Sequence, residues 1–598
     1  MYQSADSITR ILYNFHLRIT IIPNLSLALS IAVAAASIAH AQVVKDFVPV
    51  TDEMLLHPSP DDWLMYSRTY DAQRFSPLKQ VNISNVGQLR MAWTRGLGPG
   101  TSETIPIVHN GVMYLVEPGA IVQALDATNG DLIWEYKRKV PAAAASTART
   151  KSLAIYQDVV LYTAPDGFVV GLDARTGEQR WETSTGEAQN TSGPIVVDGK
   201  VISGRACGKT RDTCFIAAQD AITGKDIWKF YNVPAPGEPG SESWGKDFKD
   251  TNRASTWGLP GTYDPVRKTL YWGIANPMPD TRLERHGGDP DGTSRTSPGD
   301  LYSNSTVALD PATGKLKWYY QHLPADDWDM DYTHERTLVR EKFNPDPKYV
   351  KWFNPDIPRG EEHDVAVMVG EGGGIFEIDR GTGQFLWATP FPYDDPLFLI
   401  SNIDGKTGKV TINYDLVNKK PGEEHVICSY NTRSFWPTAF DPDTNSLYVP
   451  YIDNCLDMTS AGTGPNQRET RKAVPRPGSD RNALTAIGKI NLSTGEIQRI
   501  NVGRAPSDGA ALVTAGGLLF QGDLNRRFRA FDAETGKKLW ESILGGSISV
   551  STITYAVNGK QYVAVMTGNG LLDGILLGET PELKPPRGVN GIYAFALP

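Results

Sequence analysis

A turn motif that recurs along the chain, a composition rich in turn-forming and aromatic residues, and two complementary apolar segments near its ends predict an all-β fold. The architecture they predict is an eight-bladed β-propeller with four-stranded blades and tryptophan docking repeats. The motif is a small or apolar residue, then Asp-x-x-(Thr/Asn)-Gly, then three residues and a tryptophan. It runs from Asp126 to Trp134, Asp173 to Trp181, Asp220 to Trp228, Asp310 to Trp318, Asp379 to Trp387 and Asp532 to Trp540. Chance does not produce six copies with one offset. A seventh, degenerate copy runs from Asn491 to Gly495, with Arg499 in the tryptophan position.

The physics of the unit is legible. An apolar run such as Phe168-Val169-Val170-Gly171-Leu172 reads as a strand ending at Asp173, whose side chain caps the turn. Gly177 supplies the positive φ that a short hairpin loop requires. The return strand then carries a tryptophan, large and flat, that packs on the neighbouring unit. Successive copies begin 47, 47, 90, 69, 112 and 41 residues apart. The shortest intervals suit a four-stranded blade of about 40 to 50 residues, and the longer ones are blades with insertions.

Seven copies need one more blade to close a ring. Leu89-Arg90-Met91-Ala92-Trp93 and Gly591-Ile592-Tyr593-Ala594-Phe595 are the segments expected to pair, hiding strand edges that an open array would expose. A solenoid is the alternative, and it would need capping repeats that the sequence lacks. The composition agrees with the strand reading: 57 Gly, 41 Pro, 14 Trp and 24 Tyr in 598 residues.

Charge and cysteine content narrow the function. Net charge is −9, from 59 basic and 68 acidic residues, and there is no dense Lys/Arg run, which argues against a nucleic-acid partner. Arg10 and Arg18 precede an apolar run over 25–38 that closes on Ala39-His40-Ala41. That pattern predicts a cleavable signal peptide over 1–41, a mature start at Gln42, a single propeller domain over 42–598 and a periplasmic location. An uncleaved anchor is the competing reading; no later run is long enough to span a bilayer, so no stable membrane insertion is expected. Four cysteines stand at 207, 214, 428 and 455. Pairing by proximity gives Cys207 with Cys214 and Cys428 with Cys455, one of three connectivities. No Cys-x-x-Cys-His occurs, so any haem must sit on a partner.

Within this frame, Tyr70-Asp71-Ala72-Gln73-Arg74-Phe75-Ser76-Pro77-Leu78, the tryptophan repeats, Asn276-Pro277 and Asp327-Trp328-Asp329 together resemble the quinoprotein alcohol dehydrogenases, the methanol and ethanol dehydrogenase family. The resemblance runs from about residue 60 to the C-terminus. It implies pyrroloquinoline quinone as cofactor, an alcohol substrate and a soluble cytochrome c as electron acceptor. It places the indole that floors the quinone at Trp257, in Ala254-Ser255-Thr256-Trp257, which lies outside the turn repeat. Glu103, Lys151 and Thr191 match positions that bind the cofactor's carboxylates or ring oxygens. Lys151 stands where the family usually has Arg, keeping the charge but losing the bidentate fork. Asn276 and Asp329 match the metal-binding Asn and the catalytic Asp. Asp331, two residues on in what reads as an extended segment, is expected on the same side. An acid there goes with lanthanide-using members, so calcium and a lanthanide both stand.

The chain also departs from the family pattern. Ala143-Ala144-Ala145-Ser146 replaces the vicinal Cys-Cys of methanol dehydrogenases. The family's metal-ligating Glu falls on Lys209, so either Asp331 or Asp212 compensates or the loop between Cys207 and Cys214 is remodelled and the register differs, and the active-site Arg falls on Glu371 in Gly370-Glu371-Gly372-Gly373-Gly374. Asp508 and Asn569 stand where tryptophans lid the small-alcohol enzymes, which predicts a wider entrance and a secondary or bulky alcohol. Asp326, Asp327, Asp329 and Asp331 could alternatively form a solvated acidic loop. Two further readings remain: a non-catalytic scaffold, which would need neither Asn276 nor Asp329, and a quinone- or sugar-binding sensor silenced by Lys209 and Glu371.

Overall fold

The computed structural model describes residues 43–598, apart from 142–143, 145–148, 187–188 and 462–468. The proposed signal peptide, Gln42 and, from the string that replaces the vicinal cysteines, Ala143, Ala145 and Ser146 lie outside the described residues.

The hairpin unit forms as its residues dictate. Strand Phe168–Asp173 ends in a turn where Asp173 Oδ1 accepts the backbone N–H groups of Arg175 (2.8 Å) and Thr176 (3.1 Å). Gly177 follows at φ +75°, its N–H bonded to the Asp173 carbonyl, and the return strand Gln179–Ser184 pairs antiparallel with the first. Two further strands complete the sheet in the order Gln179–Ser184, Phe168–Asp173, Val159–Thr163, Ala154–Tyr156.

Eight sheets of four or five strands are built this way among the described residues. In seven of them four strands pair antiparallel in chain order, two of the seven carrying an added fifth strand, and the eighth joins the chain's ends. There Arg90–Leu97 pairs antiparallel with Asn590–Ala596, with Met91 opposite Phe595 and Trp93 opposite Ala594. The N-terminal side contributes again when Phe75–Ser76 adds in parallel to Leu512–Thr514.

The joints between sheets explain why the motif couples a glycine to a tryptophan. Trp134 lies on the turn of the next sheet: its Nε1 donates to the Ala174 carbonyl at 3.0 Å, and a Cβ on Gly177 would stand 2.5 Å from the ring. The same contact joins Trp93 to Gly130, Trp181 to Gly224, Trp228 to Gly314 and Trp318 to Gly383. The glycine therefore serves the turn's φ and the indole's seat together. At the degenerate copy, Ile500 fills the seat over Gly536, while Arg499 turns aside to Tyr451 and the Pro392 carbonyl.

The insertions lie where the repeat spacing lengthens. One, inside the 112-residue interval, forms a three-stranded sheet of Glu424–Cys428, Asn454–Thr459 and Thr470–Pro475. Cys428 and Cys455 sit opposite one another in it and form a disulfide, and Cys207 pairs with Cys214. Another insertion holds a hairpin, Ile400–Ile403 with Val410–Ile412, whose Asp404-to-Gly408 turn repeats the motif's geometry without a tryptophan.

Candidate functional site

Loops between sheets converge on a cavity of about 230 Å³ lined by Arg149, Lys151, Thr191, Arg253, Trp257 and Leu571 among others. Trp257 follows the short strand Arg253–Ala254 and is held from two sides. Thr191 donates its hydroxyl to the Trp257 carbonyl at 2.8 Å, and the indole Nε1 donates to Asp331 Oδ2. Phe435 meets the indole edge-on.

Lys151 is fully buried and ion-paired with buried Glu103. Its ammonium stands 5.3 Å from the Trp257 ring and 4.4 Å from that of Phe435. Desolvation holds the Lys151 ammonium below the ordinary lysine range, against the pull of Glu103. The other Glu103 oxygen accepts the Leu571 backbone N–H at 2.8 Å, which ties the segment bearing Asn569 and Leu571 to the cavity wall.

The acidic cluster divides into two pairs. Asp326 accepts N–H groups from Trp328, Met330 and Asn304, and Asp327 accepts from Arg282 and twice from Asn418. Both are fully buried and structural, which overturns the solvated-loop alternative. Asp331 reaches the Trp257 indole, and Asp329 pairs with Arg471. Their segment is not extended, as the sequence suggested: Asp329 has φ +62°, in the left-handed region, which re-aims its carboxylate.

Asp331 Oδ1 accepts the Asn276 backbone N–H at 2.8 Å. Desolvation first, then the Asp329 charge, pushes Asp331 up to about 8. Glu371 joins this group. One of its oxygens accepts the Ser434 hydroxyl and the other the Asp331 backbone N–H, and burial holds it well above the usual carboxylate range. Asp329 is pushed up to about 6, by desolvation against the pull of Arg471. Asn276 and Asp329 are linked through a relay: Asn276 Nδ2 donates to Asp280 at 3.0 Å, Asp280 pairs with Arg471 at 3.1 Å, and Arg471 pairs with Asp329.

The structure thus brings Lys151, Thr191 and Trp257 to one cavity with Glu103 behind them, and Asn276, Asp329 and Asp331 to one adjoining network. Lys209 and Asp212 do not join it; both are exposed on the Cys207–Cys214 loop, so neither an ammonium nor a compensating acid enters the site from there. Asp508 and Asn569 do not project as lids. Asp508 is buried against Ser549, and Asn569 is bonded to Asp573 and the Gly588 N–H. Sequence reasoning missed Arg149, Arg253 and Arg471. The first two flank Lys151 and Trp257 within a few residues and were findable; Arg471 comes from the inserted sheet and carries no repeat signal.

The arrangement fits the groups that the resemblance implies. A flat polyanion suits an indole floor with Arg149, Lys151 and Arg253 around it. Buried carboxylates that raise one another's proton affinity, beside an Asn amide, suit a hard cation. Among the described residues no three acidic, His or Cys side chains converge on one metal position, so such a cation would also need oxygens from Asn276 or the cofactor. Asp329, paired with Arg471 through Oδ2 and partly open to solvent, is the carboxylate of this group with an edge that can meet an incoming hydroxyl.

The site sets an indole and three cationic side chains around one cavity, beside a carboxylate network. Comparison with known proteins agrees. The family profile described as "Glucose/ethanol/alcohol dehydrogenase, beta-propeller domain", of the pyrroloquinoline quinone group, matches residues 63–390 and 483–563. A quinone-type alcohol dehydrogenase subunit of Gluconacetobacter polyoxogenes is 30% identical over 88% of this chain and 74% of its own. A lanthanide-dependent methanol dehydrogenase of Methylorubrum extorquens is 29% identical over 96% of both. Among solved structures, a europium-containing methanol dehydrogenase superposes with a TM-score of 0.78 at 26% identity, covering 92% of this chain and all of that one. The quinohemoprotein alcohol dehydrogenase of Comamonas testosteroni gives 0.76 at 26% identity, covering 91% and 82%. The chain belongs to the pyrroloquinoline quinone-dependent alcohol dehydrogenase family.

Proposed function

We propose that this is a periplasmic quinoprotein dehydrogenase that oxidises a secondary or bulky alcohol to the carbonyl compound and passes electrons to a soluble cytochrome c. The observation that carries it is the indole of Trp257, fixed through both its carbonyl and its Nε1 at the wall of a cavity lined by Arg149, Lys151 and Arg253. In this reading 1–41 is a signal peptide, and the eight sheets of 42–598 are the eight blades of one ring, docked at five joints through tryptophans and at another through Ile500.

Lys151, with Glu103 behind it, and Thr191 would hold the quinone over Trp257. Asn276, Asp329 and Asp331 would hold a calcium or lanthanide ion. When bound, the quinone supplies a two-electron hydride acceptor and the metal a Lewis acid. Asp329 takes the hydroxyl proton of the alcohol, a general-base task that its open edge permits. Asp331, held by the Trp257 indole and the Asn276 N–H, locks the indole to the base-bearing segment. The carbon-bound hydrogen leaves with its electron pair, so the substrate loses two electrons and two hydrogens in all. Short polar Asp508 and Asn569 leave the entrance without indole lids, and Leu571, half exposed, lines the cavity mouth.

The test is reconstitution of purified apo-protein with pyrroloquinoline quinone and calcium, then lanthanum, with dye reduction followed across an alcohol panel. The expected result is quinone-dependent turnover with kcat/KM for cyclic or aromatic alcohols above that for methanol. A preference for methanol would refute the substrate reading, and absence of quinone binding would leave a scaffold.

A further inference from the structure

Arg471 makes a set of contacts that the repeat architecture does not require. It lies on strand Thr470–Pro475 of the inserted three-stranded sheet, whose other two strands are cross-linked by Cys428–Cys455. Its guanidinium is largely buried and meets three carboxylates: Nη1 pairs with Asp329, Nη2 with Asp280 at 3.1 Å, and Nε with Glu469. Asp280 in turn accepts from the Asn276 side chain, and both Asp280 and Asn276 lie in the loop region after strand Thr269–Gly273.

We propose that Arg471 is a positioning residue for the dehydrogenase reaction: its planar fork holds Asp329 at one tine and Asp280 at the other, and so fixes the base against the Asn276 loop. The argument is geometric. Asp329 sits at φ +62° in a loop, without the sheet pairing that aims a side chain on a strand. Something must hold its carboxylate, and the atom bonded to its Oδ2 belongs to Arg471. A rigid fork with five donors can grip two carboxylates at once, whereas an ammonium on a flexible stem grips as a point charge. The same grip has a second consequence. The guanidinium neutralises oxygens that would otherwise attract a metal cation, so it tunes the site's affinity for such ions downward.

The proposal rests on the dehydrogenase reading, and the experiment separates the two. Variants Arg471→Gln and Arg471→Lys are compared with the unaltered protein by steady-state kinetics after reconstitution. Apo-protein of each is also titrated with terbium(III), whose luminescence is sensitised by nearby indoles such as Trp257. Loss of the fork should lower kcat in Arg471→Gln by about 100-fold with KM within about threefold, the size expected when a base is misplaced by about 1 Å. Terbium should bind that variant about tenfold or more tightly, because freed carboxylates recruit a hard cation. Arg471→Lys should keep terbium affinity near that of the unaltered protein and lose about tenfold in kcat. Unchanged kcat in Arg471→Gln, or terbium affinity that is unchanged or lower, overturns the proposal. If Arg471→Gln does not fold, unaltered kcat in Arg471→Lys overturns it. An unaltered protein that oxidises no alcohol refutes the dehydrogenase reading instead, and the terbium titration still reports on the grip.

Discussion

Four aspartates within six residues, Asp326, Asp327, Asp329 and Asp331, meet opposite fates. Asp326 and Asp327 are buried with their oxygens satisfied chiefly by backbone N–H groups, donors that cannot leave without unfolding the loop. Asp329 is held by the Arg471 side chain, and Asp331 by one side chain, Trp257, together with the backbone N–H of Asn276; all of these donors belong to other segments. A carboxylate bound by fixed main-chain donors is committed to architecture. One bound by a guanidinium or an indole can exchange that partner for a cation or a substrate hydroxyl. Residue type is the same in all four; the origin of the donors separates structure from chemistry.

That distinction can be broken by mutation. Asp329→Asn should cost the most activity, at least about 10³-fold in kcat, because the amide cannot accept the alcohol's proton; thermal stability should stay within a few degrees, by dye-coupled kinetics and calorimetry. Asp327→Ala should do the reverse. It leaves three buried donors without an acceptor, and urea titration should show a loss of about 2 to 4 kcal/mol with cofactor binding retained in the folded fraction. If Asp327→Ala is stable and inactive, the division between the pairs is wrong.

The ring itself should respond more mildly. Gly177→Ala places a methyl group at φ +75° and 2.5 Å from the Trp134 ring, and should cost about 2 to 3 kcal/mol from backbone strain and the displaced indole. A third acidic pair, Glu341 and Glu377, sharpens the comparison because it touches neither the cavity nor Arg471. Burial pushes Glu341 up to about 7 and Glu377 well above its ordinary range. Both carboxyls bind protons more tightly when folded, so the stability they contribute is complete below about pH 4.5 and is lost as pH rises through 7. Stability measured from pH 4.5 to 7 should therefore fall in the unaltered protein and fall less in Glu377→Gln.

The architecture was legible in the sequence because one physical requirement repeats. A left-handed glycine under an indole leaves the same spacing at Gly130, Gly177, Gly224, Gly314 and Gly383. The replacement of that indole by Ile500 was not legible, since the visible exchange at the expected position was Arg499. Cavity residues on the loops, Thr191, Lys151 and Trp257, were reached through resemblance, and all three line one cavity. Arg471 was out of reach because its partner Asp329 lies 142 residues away and joins it through an inserted sheet. Lys209 and Asp212 were weighed by carrying the family's metal-ligating position over by resemblance and counting its place along the chain, and the closed Cys207–Cys214 loop turns both to solvent.

The most direct test of the account is a crystal structure of the reconstituted protein with its quinone, collected at a wavelength where the bound metal scatters anomalously. The account predicts the quinone plane stacked on Trp257 and the metal about 2.3 to 2.6 Å from oxygens of Asn276 and Asp329. A quinone bound away from Trp257, or a metal peak remote from both residues, would contradict it.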